Sequence, residues 1–284
     1  MQSLRSLVVH GFAATLFFGA IFGIGFVSID GDTLPIGVEL VAGASIGDTD
    51  TDGDGLPDGA ELGDKVLDGA SPTRYDVFLE IDTVGDASLT PTERRGIQET
   101  FKEAPLRNPD GSSGITVHLV NDSPSTASRN PSFTEYYDTV HNTSSDYAGR
   151  GYHHVLIVED INQSVDGVVG LYEANGDVAG EGMLVEDDSV KNRTGMVLLH
   201  EWGHASGLAP TDYEGIDSSS VSYEEYRSVM NYNHPCLKTE SCSTASYRFS
   251  ASGESFDDWT RVIVDETNTV NAVGHQPVVV FDVV

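Results

Sequence analysis

The chain has 284 residues, 39% of them hydrophobic, and its 45 acidic against 15 basic residues give a formal charge of -30. That length and apolar content suit one large folded domain or two small ones and exclude a disordered acidic chain. The charge excludes nucleic acid and anionic membrane surfaces as partners, because both carry the same sign; scattered acids beside only Lys65, Lys102, Lys191 and Lys238 fit a protein kept soluble in high salt, as from a halophilic source.

In chain order, Arg5 is followed by a stretch without charge from Ser6 to Ile29, whose apolar core runs from Gly11 to Val27. A short basic head before such a run marks either a secretion signal or an uncleaved anchor, and the run approaches the length of a membrane-crossing helix. Ala42-Gly43-Ala44 lies far beyond the apolar core for a usual cleavage site. Residues 1–29 are therefore expected to be an anchor in preference to a cleaved signal, with Arg5 inside. Either way the chain is exported, and an extracellular or cell-surface location follows. Cys236 and Cys242, separated by five residues, are expected to form a small disulfide loop there. Asn-x-Ser/Thr triplets at Asn121, Asn142, Asn162 and Asn192 permit glycosylation.

Residues 30–70 are rich in Gly and Asp without helical or strand periodicity, which predicts an acidic linker. Within it, Asp50, Asp52, Asp54, Asp58 and Glu61 fall at positions 1, 3, 5, 9 and 12 of an EF-hand-like loop over residues 50–61. Gly55 stands at position 6 for the sharp turn, and the Leu56 carbonyl at position 7. Carboxylates so crowded repel one another unless a hard cation sits among them, so one Ca2+ is expected. The loop resembles the aspartate-rich calcium loops that often join surface anchors to exported domains. No internal repeat is evident.

From about residue 71 to 284 the texture is that of one folded domain. Strands are expected at Tyr75–Asp82, Ile115–Val120, Tyr152–Val158, Val165–Tyr172 and Gly182–Val185, with a helix over Pro91–Ala104 started by Thr90. Strands alternating with helices indicate an α/β (α+β) fold built on a mixed sheet. His153 and His154 are strand neighbours facing opposite ways, so they cannot both reach one metal. The tail from Asn268 is expected to end in a strand at Pro277–Val284.

A helix begun at Asp187 or Asp188 and stopped near Gly207 would carry His200-Glu201-Trp202-Gly203-His204. Two histidines four residues apart share one helical face, where both imidazoles reach one tetrahedral Zn2+. Glu201, rotated by roughly 100° from His200, falls beside the ion, where a carboxylate can take a proton from the attacking water. Gly207 three residues on allows the chain to leave the helix sharply.

With Ser228-Val229-Met230-Asn231-Tyr232 downstream, the pattern His-Glu-x-x-His-x-x-Gly resembles the metzincin zinc metalloproteases over roughly residues 75–264. The resemblance implies a zinc endopeptidase acting on protein or peptide substrates, with Met230 as the apolar floor of the site and Tyr232 as an aid to the oxyanion. It also implies that the strand near Gly182–Glu186 lines the cleft as an edge for an extended substrate. The family's third ligand should stand six residues after His204, and that position is Pro210, which cannot bind zinc. Asp212 is expected in its place ahead of Asp217, with His234 and Glu214 as further candidates. An inactive, calcium-dependent surface-binding protein of the same fold is the competing expectation.

Overall fold

The computed structural model describes residues 27–63, 65–121, 131, 135, 150–161, 169–173, 182–187, 190–239 and 241–262. The N-terminal apolar run apart from Val27, the triplets at Asn142 and Asn162, and the strand expected at 277–284 lie outside these residues. Among the described residues no helix is long and apolar enough to cross a membrane.

Five strands, β1 (Asp76–Thr83), β2 (Thr116–Asn121), β3 (Tyr152–Val158), β4 (Gly170–Glu173) and β5 (Gly182–Glu186), form one sheet in the order β2-β1-β3-β5-β4. β1 pairs in parallel with β2 and β3, β3 pairs in parallel with β5, and β4 runs antiparallel to β5. The fold is thus the mixed α/β class expected. One expectation about it fails: β5 is paired on both sides, so among the described residues β4, not β5, ends the sheet on this flank.

Strand β1 lies between β2 and β3 and is buried along nearly its whole length, because its alternating residues serve two packed faces. Val77, Leu79 and Ile81 join Val155, Ile157, Met183 and Val185 beneath two long helices. The first, α3 (Pro91–Lys102), presents Ile97 and Phe101; the second, α4 (Arg193–Ala205), presents Leu198 and Trp202. Phe101 meets the Trp202 ring edge-on at 4.5 Å between centroids, an arrangement that favours aromatic pairs. On the opposite face Phe78 and Tyr152 pack with Leu56 and Leu67.

Residues 30–70, expected as a linker, therefore belong to the packed structure. They form two short helices, α1 (Ile36–Ala42) and α2 (Asp58–Gly63), too short for periodicity to announce. Leu56 is buried against the sheet, and the Asp76 amide, at the start of β1, donates to the Asp54 carboxylate at 2.7 Å.

Helix α4 begins later than expected. Asn192 precedes it with φ 62° and no side-chain cap, while Asp187 accepts from the Thr194 hydroxyl and the Ser88 amide instead. The cap comes from another helix. Glu93 closes a capping box with Thr90 at the start of α3, and its other oxygen accepts the Gly195 amide at 3.1 Å. One buried carboxylate thus satisfies the N-termini of both helices. Replacing Glu93 with Ala should lower unfolding stability by about 2 kcal/mol, since the Gly195 donor is left buried and unmet. Urea denaturation with an unchanged m-value would register it, and a loss below about 0.5 kcal/mol would refute the shared cap.

Candidate metal centre

Helix α4 places His200 and His204 one turn apart, both almost fully buried. Each imidazole is held through its Nδ1 by a backbone carbonyl. His200 Nδ1 lies 2.9 Å from Val229 O, and His204 Nδ1 lies 2.8 Å from Leu208 O. A carbonyl only accepts, so both Nδ1 atoms carry a proton, and each ring, when neutral, turns an Nε2 lone pair into the same space.

Gly207 and the methionine turn supply those carbonyls. At φ 97°, Gly207 adopts a left-handed conformation that reverses the chain after α4 and returns Leu208 to the helix it has just left. Val229 immediately precedes Met230, whose side chain is fully buried under α4. A Cβ on Gly203 would stand 2.4 Å from the Met230 sulfur, so glycine at that helix position lets the floor approach.

The third group is Asp217. Its amide donates to Met230 O at 3.0 Å, and Ser218 forms a bridge with Asn231, so the methionine turn itself aligns this loop. Asp217 has φ 51°, an uncommon conformation for a residue with a Cβ. Its Oδ1 lies 3.1 Å from His200 Nε2 and 3.3 Å from His204 Nε2, while the two Nε2 atoms are 3.2 Å apart. Ligands at about 2.0–2.1 Å around a tetrahedral zinc stand about 3.3 Å from each other. The donor set and its spacing fit Zn2+.

Asp212, expected to be the third ligand, is engaged elsewhere. Its Oδ2 accepts the Ala209 amide at 3.0 Å and its Oδ1 lies 3.9 Å from Arg261; the converging group contains Asp217 and not Asp212. Proximity along the chain favoured the wrong acid, because the pairing of residues 217–218 with the methionine turn is not local. Glu214 is exposed at the surface. His234 is also excluded, since its Nδ1 accepts the Cys236 amide and its Nε2 faces Ser246 O.

Electrostatics follow from burial without a cation. Burial opposes charge on His200, but the Asp217 carboxylate outweighs it and pushes His200 up to about 9. His204 is lowered by burial and by its neighbour His200, despite Asp217. Glu201, next along the helix, is pushed up to about 8 by burial, against the pull of His200. One of its oxygens meets no donor among the described residues. A Cβ on Gly170 of β4 would stand 2.2 Å from the other, so a glycine gives Glu201 its room. The Tyr232 ring lies at 26° to the His200 ring with centroids 6.0 Å apart.

Asp258 was not foreseen from the sequence. It is fully buried and accepts from Tyr226 Oη at 2.7 Å, Ser228 Oγ at 2.6 Å and the Ser250 amide at 2.8 Å. Ser228 Oγ in turn accepts the Met230 amide, so this carboxylate braces the turn that orients two metal-site residues. Nothing local in Phe256-Asp257-Asp258-Trp259 distinguishes it. The expected disulfide is formed between Cys236, within α5 (Pro235–Lys238), and Cys242.

In the acidic loop, Asp50 accepts the amides of Gly53 and Gly55, both at 2.8 Å, and Gly55 takes φ 91° as position 6 requires. Two groups of carboxylates converge there, Asp50 with Asp52 and Asp54, and Asp54 with Glu61 and Asp76. Asp76, the first residue of β1, was not anticipated. Asp58, expected at position 9, turns instead to the Thr51 amide and hydroxyl at 2.8 and 2.6 Å. Burial first, and neighbouring acids second, push Asp52 to about 7, Asp54 to about 9 and Glu61 to about 10. Both Glu61 oxygens are buried without a donor among the described residues. Such a set fits a hard divalent cation with oxygen ligands.

The sequence matches no protein-family model and no curated protein. In solved structures it is similar to metalloproteinase-II from Bacteroides fragilis, at 10% identity and TM-score 0.42, over 69% of this chain and 54% of that one. It is also similar to a chain of a chaperone–substrate complex, at 10% identity and TM-score 0.43, over 72% of this chain and 40% of that one. The chain thus spans about half the length of the structures it matches, or less.

Two outcomes check this geometry. Asp217→Ala should weaken zinc binding at least tenfold in a chelator competition, while Asp212→Ala leaves it within twofold; the reverse pattern would restore Asp212. His234 tests burial by pH. Burial lowers it to about 4, against about 6.5 in the unfolded chain. As pH falls below 6.5 the unfolded chain takes up the proton first, so stability is lost down to pH 4, by about 3 kcal/mol at most. In metal-free protein, His234→Asn should flatten the stability curve between pH 6.5 and 4 relative to the parent. Parallel curves would contradict it.

Proposed function

We propose that the chain is an exported zinc-dependent endopeptidase, with His200, His204 and Asp217 holding Zn2+ and Glu201 as general base. The convergence of three electron-rich atoms at zinc spacing carries this reading. It favours a complete site over one disabled by Pro210, with Asp217 in the place of the missing ligand. The bound ion would acidify water and polarise a peptide carbonyl.

The protein's own groups would do the rest. Glu201 takes the proton of the attacking water and hands it to the leaving amine. The Tyr232 hydroxyl donates to the carbonyl oxygen as negative charge develops there. Strand β4, which ends the sheet and carries Gly170 against Glu201, offers its outer edge to an extended peptide. The Cys236–Cys242 disulfide accords with a location outside the reducing cytoplasm. The loop over residues 50–61 binds Ca2+ through Asp50, Asp52, Asp54, the Leu56 carbonyl and Glu61, with Asp76 closing the site from β1.

In high salt with zinc, the purified chain should cleave casein or a quenched fluorescent peptide. Glu201→Gln should reduce turnover by about 10^2-fold or more while retaining one zinc. A parent protein that binds zinc and cleaves no peptide, or a variant of undiminished rate, would overturn the peptidase reading.

A further inference from the structure

Outside the two sites above, one more group of carboxylates converges among the described residues: Asp30, Asp32 and Glu39. Glu39 is fully buried, and neither of its oxygens meets a donor among the described residues. One oxygen each of Asp30 and Asp32 is in the same state. The group sits in the acidic segment but shares none of its members with the loop over residues 50–61.

The two segments form an internal repeat. Asp30-Gly-Asp32-Thr-Leu34-Pro35-Ile-Gly37-Val-Glu39-Leu40 corresponds to Asp52-Gly-Asp54-Gly-Leu56-Pro57-Asp-Gly59-Ala-Glu61-Leu62 at a constant offset of 22 positions. The backbone repeats with it. The Asp32 amide donates to Asp30 Oδ1 as the Asp54 amide donates to Asp52 Oδ1, at 3.3 and 3.1 Å. The Leu34 amide donates to Asp32 Oδ1 as the Leu56 amide donates to Asp54 Oδ1, at 2.7 and 2.8 Å. Glu39 and Glu61 each stand one helical turn past a proline whose carbonyl accepts their amides, at 3.2 and 3.1 Å.

The loop over residues 28–39 also makes the same sharp turn with a residue unsuited to it. Thr33 stands where Gly55 stands in the other loop and takes φ 72° beside its 91°. In the twelve-residue count, Ser28 occupies position 1, Asp30 position 3, Asp32 position 5, Leu34 position 7 and Glu39 position 12. The Ser28 hydroxyl lies 3.4 Å from both Asp30 Oδ1 and Asp32 Oδ1, an oxygen at the place Asp50 fills in the partner loop. Ile36 replaces Asp58 at position 9, which is the position that Asp58 itself leaves by turning to Thr51.

We infer that residues 28–39 form a second divalent-cation loop of the calcium class, paired with the loop over residues 50–61. Its protein ligands are Asp30, Asp32, Glu39 and the Leu34 carbonyl, with the Ser28 hydroxyl at the first position. The two loops touch through backbone. The Asp32 carbonyl lies so close to Gly59 that a Cβ there would stand 1.9 Å from it. Filling one loop therefore fixes a wall of the other, and the pair acts as one unit that Asp54 and Asp76 fasten to β1. With three carboxylates against the larger set of its partner, the loop over residues 28–39 binds the more weakly of the two.

The test is calcium stoichiometry of the zinc-loaded full chain in high salt, by isothermal titration and native mass spectrometry. The parent should bind two calcium ions, Glu39→Gln one, Glu61→Gln one, and the double variant none. A parent that binds one ion, retained in Glu39→Gln and lost in Glu61→Gln, would overturn the second loop and leave the first standing. Loss of one ion in Glu39→Gln with no loss in Glu61→Gln would instead overturn the assignment of residues 50–61. Should Glu39→Gln fail to fold, Asp32→Asn gives the same reading, and a parent stoichiometry of one is by itself decisive against the pair.

Discussion

Two imidazole nitrogens and a carboxylate oxygen lie within 3.1–3.3 Å of one another around His200, His204 and Asp217. Lone pairs so placed repel unless a proton or a metal ion takes the space between them. Much of the surrounding structure exists to hold that arrangement. Val229 and Leu208 carbonyls fix the imidazole protons on the far side of each ring. The Met230 carbonyl anchors the Asp217 amide. Asp258, through Ser228, holds the turn to which both Val229 and Met230 belong.

The same logic governs the amino-terminal acids. In a chain of charge -30, surface carboxylates are tolerated by hydration and salt, but Glu39 and Glu61 are buried without donors among the described residues. Burial of an unmatched carboxylate costs several kcal/mol unless it is protonated or matched by a cation. Two loops of this kind, in backbone contact at Asp32 and Gly59, would make the segment a cation-dependent part of the fold on the inference above. Its attachment runs through Leu56 against Phe78 and Tyr152, and through Asp54 at the first residue of β1. Cation occupancy would thereby be linked to the start of β1.

The sequence by itself determined the local features. Four-residue spacing on a helix put His200 and His204 on one face with Glu201 beside them, because helical periodicity is a property of the chain alone. The strands at β1, β2 and β3, the capped start of α3, the turn at Gly207 and the calcium-type spacing of residues 50–61 were legible for the same reason. Only the tertiary structure decided what distant segments bring together. Asp217 displaced Asp212 because backbone pairing with the methionine turn, thirteen residues from Asp217, sets the loop. Glu93 capped α4 across 102 residues, Asp76 joined the acidic loop from β1, and β4 took the edge that β5 was expected to hold. The repeat over residues 28–39 was written in the chain, but Ser28, Thr33 and Ile36 hid it by departing from the ligand pattern. Shared backbone hydrogen bonds revealed it, because loop geometry depends on the aspartates that accept amides and tolerates change at the positions between them.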